Sequence, residues 1–170
     1  MQVRPATEAD VDAIGTIYAH HVRTGHATFE LEPPPRERWL DKLTSDHPGD
    51  HFLLAEEGQD LLGYAYSGAY RDRAAYTNTR ETTVYLAPDA TGRGVGRALY
   101  DALLAELERA GVHTALAGVA LPNDASEALH RACGFERLGV MRAVGRKFDR
   151  WIDVAWWQRM LGDDATRVGE

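Results

Sequence analysis

The segment Tyr85-Leu86-Ala87-Pro88-Asp89-Ala90-Thr91-Gly92-Arg93-Gly94-Val95-Gly96-Arg97 carries the most pointed chemistry in the chain. An extended apolar stretch enters a glycine-rich turn, and the turn opens an amphipathic run. Unpaired backbone N–H groups at a helix start form an anion site. Glycines there let a pyrophosphate approach the main chain, and Arg93 and Arg97 would add positive charge. The competing reading is a plain helix-entry loop. Other phosphate loops fit poorly. A Walker loop ends in Gly-Lys-Ser/Thr, whereas Gly96 is followed by Arg97-Ala98. A dinucleotide fingerprint needs G-x-G-x-x-G on a first strand, but Gly92, Gly94 and Gly96 are evenly spaced in mid-chain.

Three further groups of side chains suit chemistry. Glu81 opens the strand that feeds the glycine turn and suits a general base for an ammonium nucleophile, directly or through one water; a structural pair with Arg80 or Arg73 competes with that role. Arg71 and Arg73 suit two-point recognition of an oxyanion such as a carboxylate, and would share a face if the preceding strand persists that far. Two solvated loop arginines flanking Asp72 are the alternative. Phe29 and Tyr76 suit ordinary core or lid aromatics. Asn123 opens a short helix as its cap.

The elements that must position these groups follow from periodicity. Residues 2–4 read as a strand. Thr7 to Asp10 start a helix that carries Val11, Ile14, Ile17 and Tyr18 through His21. Pro33 to Pro35 open a second helix with Trp39, Leu40 and Leu43. Strands are expected over 52–56 and 62–70, joined by a turn at 57–60, and over 80–86. A helix is predicted from Val95 to Ala110, with Gly111 as its stop. A strand over 114–121, a helix from Asn123 to Cys133, and strands over 135–143 and 146–160 complete the order β-α-α-β-β-β-α-β-α-β-β. The fold class is α/β (α+β), with a mixed, mostly antiparallel sheet. Residues 80–121 make one parallel, right-handed crossover.

The 170 residues are 44% hydrophobic and 26% charged, which fits one domain over 1–161 with a polar tail at 162–170. A net charge of −7 argues against nucleic acid, whose phosphates select basic faces. No run approaches the roughly 18 apolar residues of a membrane span. The single cysteine, Cys133, suits a reducing cytoplasm and is expected to be a small buried residue rather than a nucleophile. No Cys/His cluster has zinc spacing, and no metal is expected.

Val84 through Tyr100 resembles the acetyl-CoA signature of the GNAT superfamily, Gln/Arg-x-x-Gly-x-Gly/Ala. Gly94 and Gly96 match its glycines, and its first position falls on Thr91. Leu121-Pro122-Asn123 through Gly134-Phe135 resembles the family's second cofactor-side segment. Phe29, Arg71-Asp72-Arg73, Glu81-Thr82-Thr83-Val84-Tyr85 and the ending from Gly145 to Val154 extend the likeness, over roughly residues 2–161, to phosphinothricin and methionine sulfone/sulfoximine acetyltransferases.

The resemblance implies a GNAT fold of about seven strands and four helices, with a cleft where two central strands splay. It implies acetyl-CoA held along Val84, Tyr85 and Leu86, at Gly92 to Arg97, and at Asn123, Ser126 and His130. A backbone N–H near Leu86 would polarise the thioester oxygen. The resemblance also tilts Glu81 towards catalysis, as the base in direct transfer to an acceptor held by Phe29, Arg71, Arg73, Tyr76 and Thr83. His130 falls where many members place a tyrosine acid; a general acid, a CoA contact and a surface histidine all stay open. A homodimer is expected through the aromatic C-terminal strand. The alternatives are another acceptor, such as a polyamine or a protein N-terminus, and a non-catalytic CoA-binding module.

Overall fold

A computed structural model describes residues 1–162; residues 163–170, the bulk of the expected polar tail, lie outside the described residues. Seven strands form one sheet: β1 (Gln2–Pro5), β2 (Phe52–Glu57), β3 (Asp60–Ala69), β4 (Thr79–Leu86), β5 (Thr114–Ala120), β6 (Glu136–Lys147) and β7 (Arg150–Met160). Their order is β1-β2-β3-β4-β5-β7-β6. Among the described residues only β4 and β5 run parallel, joined through a crossover helix. Four α-helices form among the described residues: α1 (Val11–Thr24), α2 (Glu37–Leu43), α3 (Val95–Arg109) and α4 (Asp124–Ala132). None of them is long and apolar enough to cross a membrane.

Helices cover both faces of the sheet, for reasons visible in the side chains. On α1, Val11, Ile14, Ile17, Tyr18 and Val22 fall on one stripe and are buried. Tyr18 packs edge-on against Tyr85 of β4 and Trp39 of α2, at 5.0 and 5.1 Å between ring centroids. The odd-numbered residues of β4 therefore face α1 and α2. On α3, Val95, Leu99, Tyr100, Leu103, Leu104 and Leu107 are buried, and the Tyr100 hydroxyl lies 3.4 Å from Thr82 Oγ1. The even-numbered face of β4 is thus covered by α3.

Three local expectations are revised. A 3-10 turn over Glu8–Asp10 precedes α1, because Asp10 Oδ2 accepts from the Thr7 N–H and hydroxyl at 2.8 and 2.7 Å. β3 ends at Ala69, so strand alternation does not put Arg71 and Arg73 on a common face. The last hairpin turns at Phe148 and Asp149, with φ of 49° and 57°, and not at 144–145. Gly145 instead lies beyond a bulge in β6, where a Cβ would stand 2.5 Å from the Phe29 ring.

Candidate active site

The parallel pairing of β4 with β5 stops at Glu81↔Leu116. Beyond it β5 pairs only with β7, through Ala120↔Val154. Residues 82–86 of β4 stay paired to β3 on one side and open on the other. The Ala87 N–H donates to the Leu62 carbonyl at 2.9 Å, and this fixes the alternation along the ladder. The N–H and C=O groups of Thr83 and Tyr85 face β3, while those of Val84 and Leu86 face the gap. The strand therefore offers a free edge to an extended guest.

A cavity of about 480 Å³ runs through this gap. Its floor is the α3 N-terminus, where Gly92 and Gly94 adopt φ of 73° and 79°, a left-handed conformation open to glycine. Gly94 is the N-cap and has no side chain to offer, and its carbonyl closes the first helical turn with the Ala98 N–H at 3.1 Å. The N–H groups of Val95, Gly96 and Arg97 are left as anion donors at the positive end of a 15-residue helix. At Gly96 a Cβ would come within 3.0 Å of Leu129, so glycine lets α3 and α4 close around the site.

Thirteen residues singled out from the sequence line this cavity: Glu81, Thr83, Val84, Tyr85, Leu86, Gly92, Gly94, Val95, Gly96, Arg97, Asn123, Ser126 and His130. Arg97 is partly committed, to Asp101 at 2.8 Å and to the Ala132 carbonyl at 2.8 Å. Arg93 points elsewhere, to Glu57 at 2.7 Å. Asn123 caps α4, accepting from the Ser126 N–H at 3.1 Å.

His130 is buried, at 3% exposure, which removes the surface-histidine reading. Its Nδ1 lies 2.7 Å from the Ser126 carbonyl. A carbonyl only accepts, so the proton sits on Nδ1 and Nε2 accepts from the Tyr100 hydroxyl at 2.9 Å. Burial holds its pKa below the usual histidine value. The neutral ring thus has no free N–H to hand to a leaving group.

Glu81 occupies the junction of two cavities. The second, about 280 Å³, is walled by Phe29, Met141, Val144, Val154 and Trp156. Both are lined by Ala27, Glu81, Gly118 and Ala120, of which only Glu81 ionises. Neither structural partner considered for it is used: Arg80 pairs with Asp50, and Glu81 makes no ion pair among the described residues. Its cross-strand neighbour, Gly68, presents no side chain. Burial raises the Glu81 pKa above the ordinary carboxylate value, and the positive charge of Lys42 partly opposes this.

Phe29 belongs to the second cavity, but Arg71, Arg73 and Tyr76 do not line either one. Both arginines are exposed on the loop after β3. That loop is tethered near the cavity, since Tyr70 sits 5.5 Å from Tyr76 and 6.1 Å from Trp156, with the Arg71 guanidinium 5.0 Å over its ring. Sequence reasoning missed His21, Tyr66 and Tyr100, which also line the larger cavity. The one available signal for His21 was its three-residue spacing from Tyr18 on the buried stripe of α1.

A family model described as an acetyltransferase (GNAT) domain matches residues 3–156. The phosphinothricin N-acetyltransferase of Streptomyces coelicolor is 46% identical over 165 residues, covering 95% of this chain and 96% of the relative. The L-methionine sulfoximine/L-methionine sulfone acetyltransferase of Pseudomonas aeruginosa is 36% identical, covering 97% and 96%. The crystal structure of a GNAT superfamily phosphinothricin acetyltransferase from Sinorhizobium meliloti, in complex with acetyl-CoA, superposes with a TM-score of 0.91 at 38% identity, over 98% of this chain and 91% of that one. Open strand edge, uncapped helix start and sequence kinship agree: the chain belongs to the GNAT family and is an N-acetyltransferase.

Proposed function

We propose that this enzyme uses acetyl-CoA to acetylate the amino group of a small amino-acid-like acceptor, of the phosphinothricin, methionine sulfone or methionine sulfoximine type, by direct transfer in a ternary complex. The carrying observation is the position of Glu81 between the two cavities. Its residues fit a CoA-shaped guest, with phosphate donors at 95–97 and a free strand edge at 84–86. Acetyl-CoA, when bound, would supply a thioester in which the amine forms the C–N bond as the C–S bond breaks, CoA leaving as a thiolate that needs no dedicated acid because a thiol pKa is only about 8.5. The Leu86 N–H points into the gap where the carbonyl oxygen would gain negative charge. Glu81 takes the ammonium proton, leaving a nucleophilic nitrogen. Val84, Tyr85 and Leu86 hold the arm, and Asn123, Ser126 and His130 line its far side. Juxtaposing two reactants in one cleft supplies much of the acceleration.

In this reading the smaller cavity receives the acceptor, with Phe29 as a wall. Thr83, Tyr76, Arg71 and Arg73 complete the acceptor side, the guanidinium groups taking its anionic end. Support comes from the loop carrying Arg71, tethered through Tyr70 to Trp156 in the cavity wall. The names of the relatives support the acceptor class. A second copy is part of the proposal; β7, the aromatic strand expected to meet it, lies between β5 and β6, so the edge strand β6, with Leu138 and Val140 exposed, is the one left to receive it.

An amine panel with acetyl-CoA, followed by free-thiol release, tests it. Turnover of methionine sulfone or phosphinothricin, absent with spermidine and peptides, is the expected result. Intersecting initial-velocity lines are expected for direct transfer, and parallel lines would contradict it. Turnover confined to polyamines or peptides would reassign the acceptor.

A further inference from the structure

His21 projects from α1 into the cleft, half-buried and lining the larger cavity. Its Nε2 lies 2.8 Å from the Leu86 carbonyl oxygen. Since a carbonyl only accepts, Nε2 carries the proton. The ring also packs on Tyr85, with centroids 5.1 Å apart. Tyr18, three residues earlier, packs on the same ring at 5.0 Å. Two side chains one turn apart on α1 thus grip the end of β4 where its pairing to β5 has ceased. Burial lowers the His21 pKa, with His20 the neighbouring titratable ring at 5.6 Å.

Alternation turns both the N–H and the C=O of Leu86 into the gap. Left alone, that carbonyl would compete for water or guest. We infer that His21 is a positioning residue for acetyl transfer: by occupying the Leu86 carbonyl it holds the last turn-in of β4 so that the Leu86 N–H stays aimed at the reacting carbonyl. A guest strand then meets a donor and an acceptor at Val84, and a donor alone at Leu86. This one-sided pattern selects a single register for the arm. The inference rests on the acetyl-CoA reading above, but its contact exists in the free protein and can be tested there.

His21→Phe keeps a ring on Tyr85 and deletes the donor, whereas His21→Gln returns an N–H at similar reach. One neutral hydrogen bond corresponds to a change of about 3- to 10-fold. His21→Phe is expected to lower kcat by about that factor, with CoA affinity by calorimetry within about twofold of wild type. His21→Gln is expected to recover most of kcat. In the ligand-free protein, the Leu86 carbonyl ¹³C resonance should shift in His21→Phe and return in His21→Gln. An unmoved resonance overturns the inference even if wild type turns nothing over. A moved resonance with unchanged kcat in an active enzyme, a loss entirely in CoA affinity, or an equal loss of kcat in both variants overturns it too. Absence of thiol release by wild type alone counts against the acetyl-transfer reading, not against this contact.

Discussion

Replacing Glu81 with glutamine removes a base while leaving its shape. Glu81 makes no salt bridge among the described residues and feels Lys42 only at a distance, so the change breaks no direct ion pair. The loss of rate therefore reports proton transfer. A positioned general base is worth about 10²–10⁴-fold, or roughly 3–5 kcal/mol at about 1.4 kcal/mol per decade. Glu81→Gln should lower kcat by that factor with CoA affinity nearly unchanged. The pH profile sharpens the test. Glu81 works deprotonated, and burial raises its pKa. The wild-type rate should climb with pH through a value above the ordinary carboxylate range, and the variant should lose that limb. The same shift has a stability consequence. A carboxyl whose folded pKa exceeds its unfolded one costs stability above the unfolded value, and the cost is complete once pH passes the folded value. Thermal denaturation should show Glu81→Gln more stable than wild type at neutral pH and equal to it in acid, below both pKa values. A kcat within threefold of wild type, or an unchanged acid limb, would refute the role.

Other outcomes follow from neighbouring residues. Lys42, whose ammonium sits 4.2 Å over the Tyr66 ring, depresses the Glu81 pKa; Lys42→Met should move the acid limb of the rate profile to higher pH, with the plateau little changed. Gly94→Val forces a branched residue to φ of 79° at the phosphate cradle; calorimetry should show CoA affinity down at least about tenfold, against a modest loss of thermal stability. At Gly145 an added Cβ would stand 2.5 Å from Phe29; in steady-state kinetics Gly145→Ala should displace that ring and raise the acceptor KM severalfold, while the KM for acetyl-CoA holds.

Local chemistry made part of this site legible. The α3 start could be read because glycine spacing, a polar turn and the Leu99-Leu103-Leu107 stripe are all short-range signals, and that helix and its strand lie where expected. The opening between β4 and β5 is long-range: it depends on β5 parting from β4 after Leu116 while it stays paired to β7 from Thr114 to Ala120. Nothing near Glu81 in sequence announces that it joins two cavities. A common face for Arg71 and Arg73 depended on the strand running past residue 70, and where a strand stops is set by its partner; β3 ends at Ala69, opposite Arg80, and leaves both on a loop. Gly145 looked like a turn, but its missing Cβ serves Phe29, while the actual turn uses Phe148 and Asp149 without glycine. His130 shows the same limit. Its helical position was readable, but the bond from Tyr100, thirty residues away, was not.

The most direct measurement is a calorimetric titration of the purified protein with CoA. Saturable one-to-one binding, weakened by Gly94→Val and indifferent to Glu81→Gln, is the expected result. A flat titration at concentrations that saturate the Sinorhizobium meliloti relative would contradict the account, because no thioester could then be held beside Leu86.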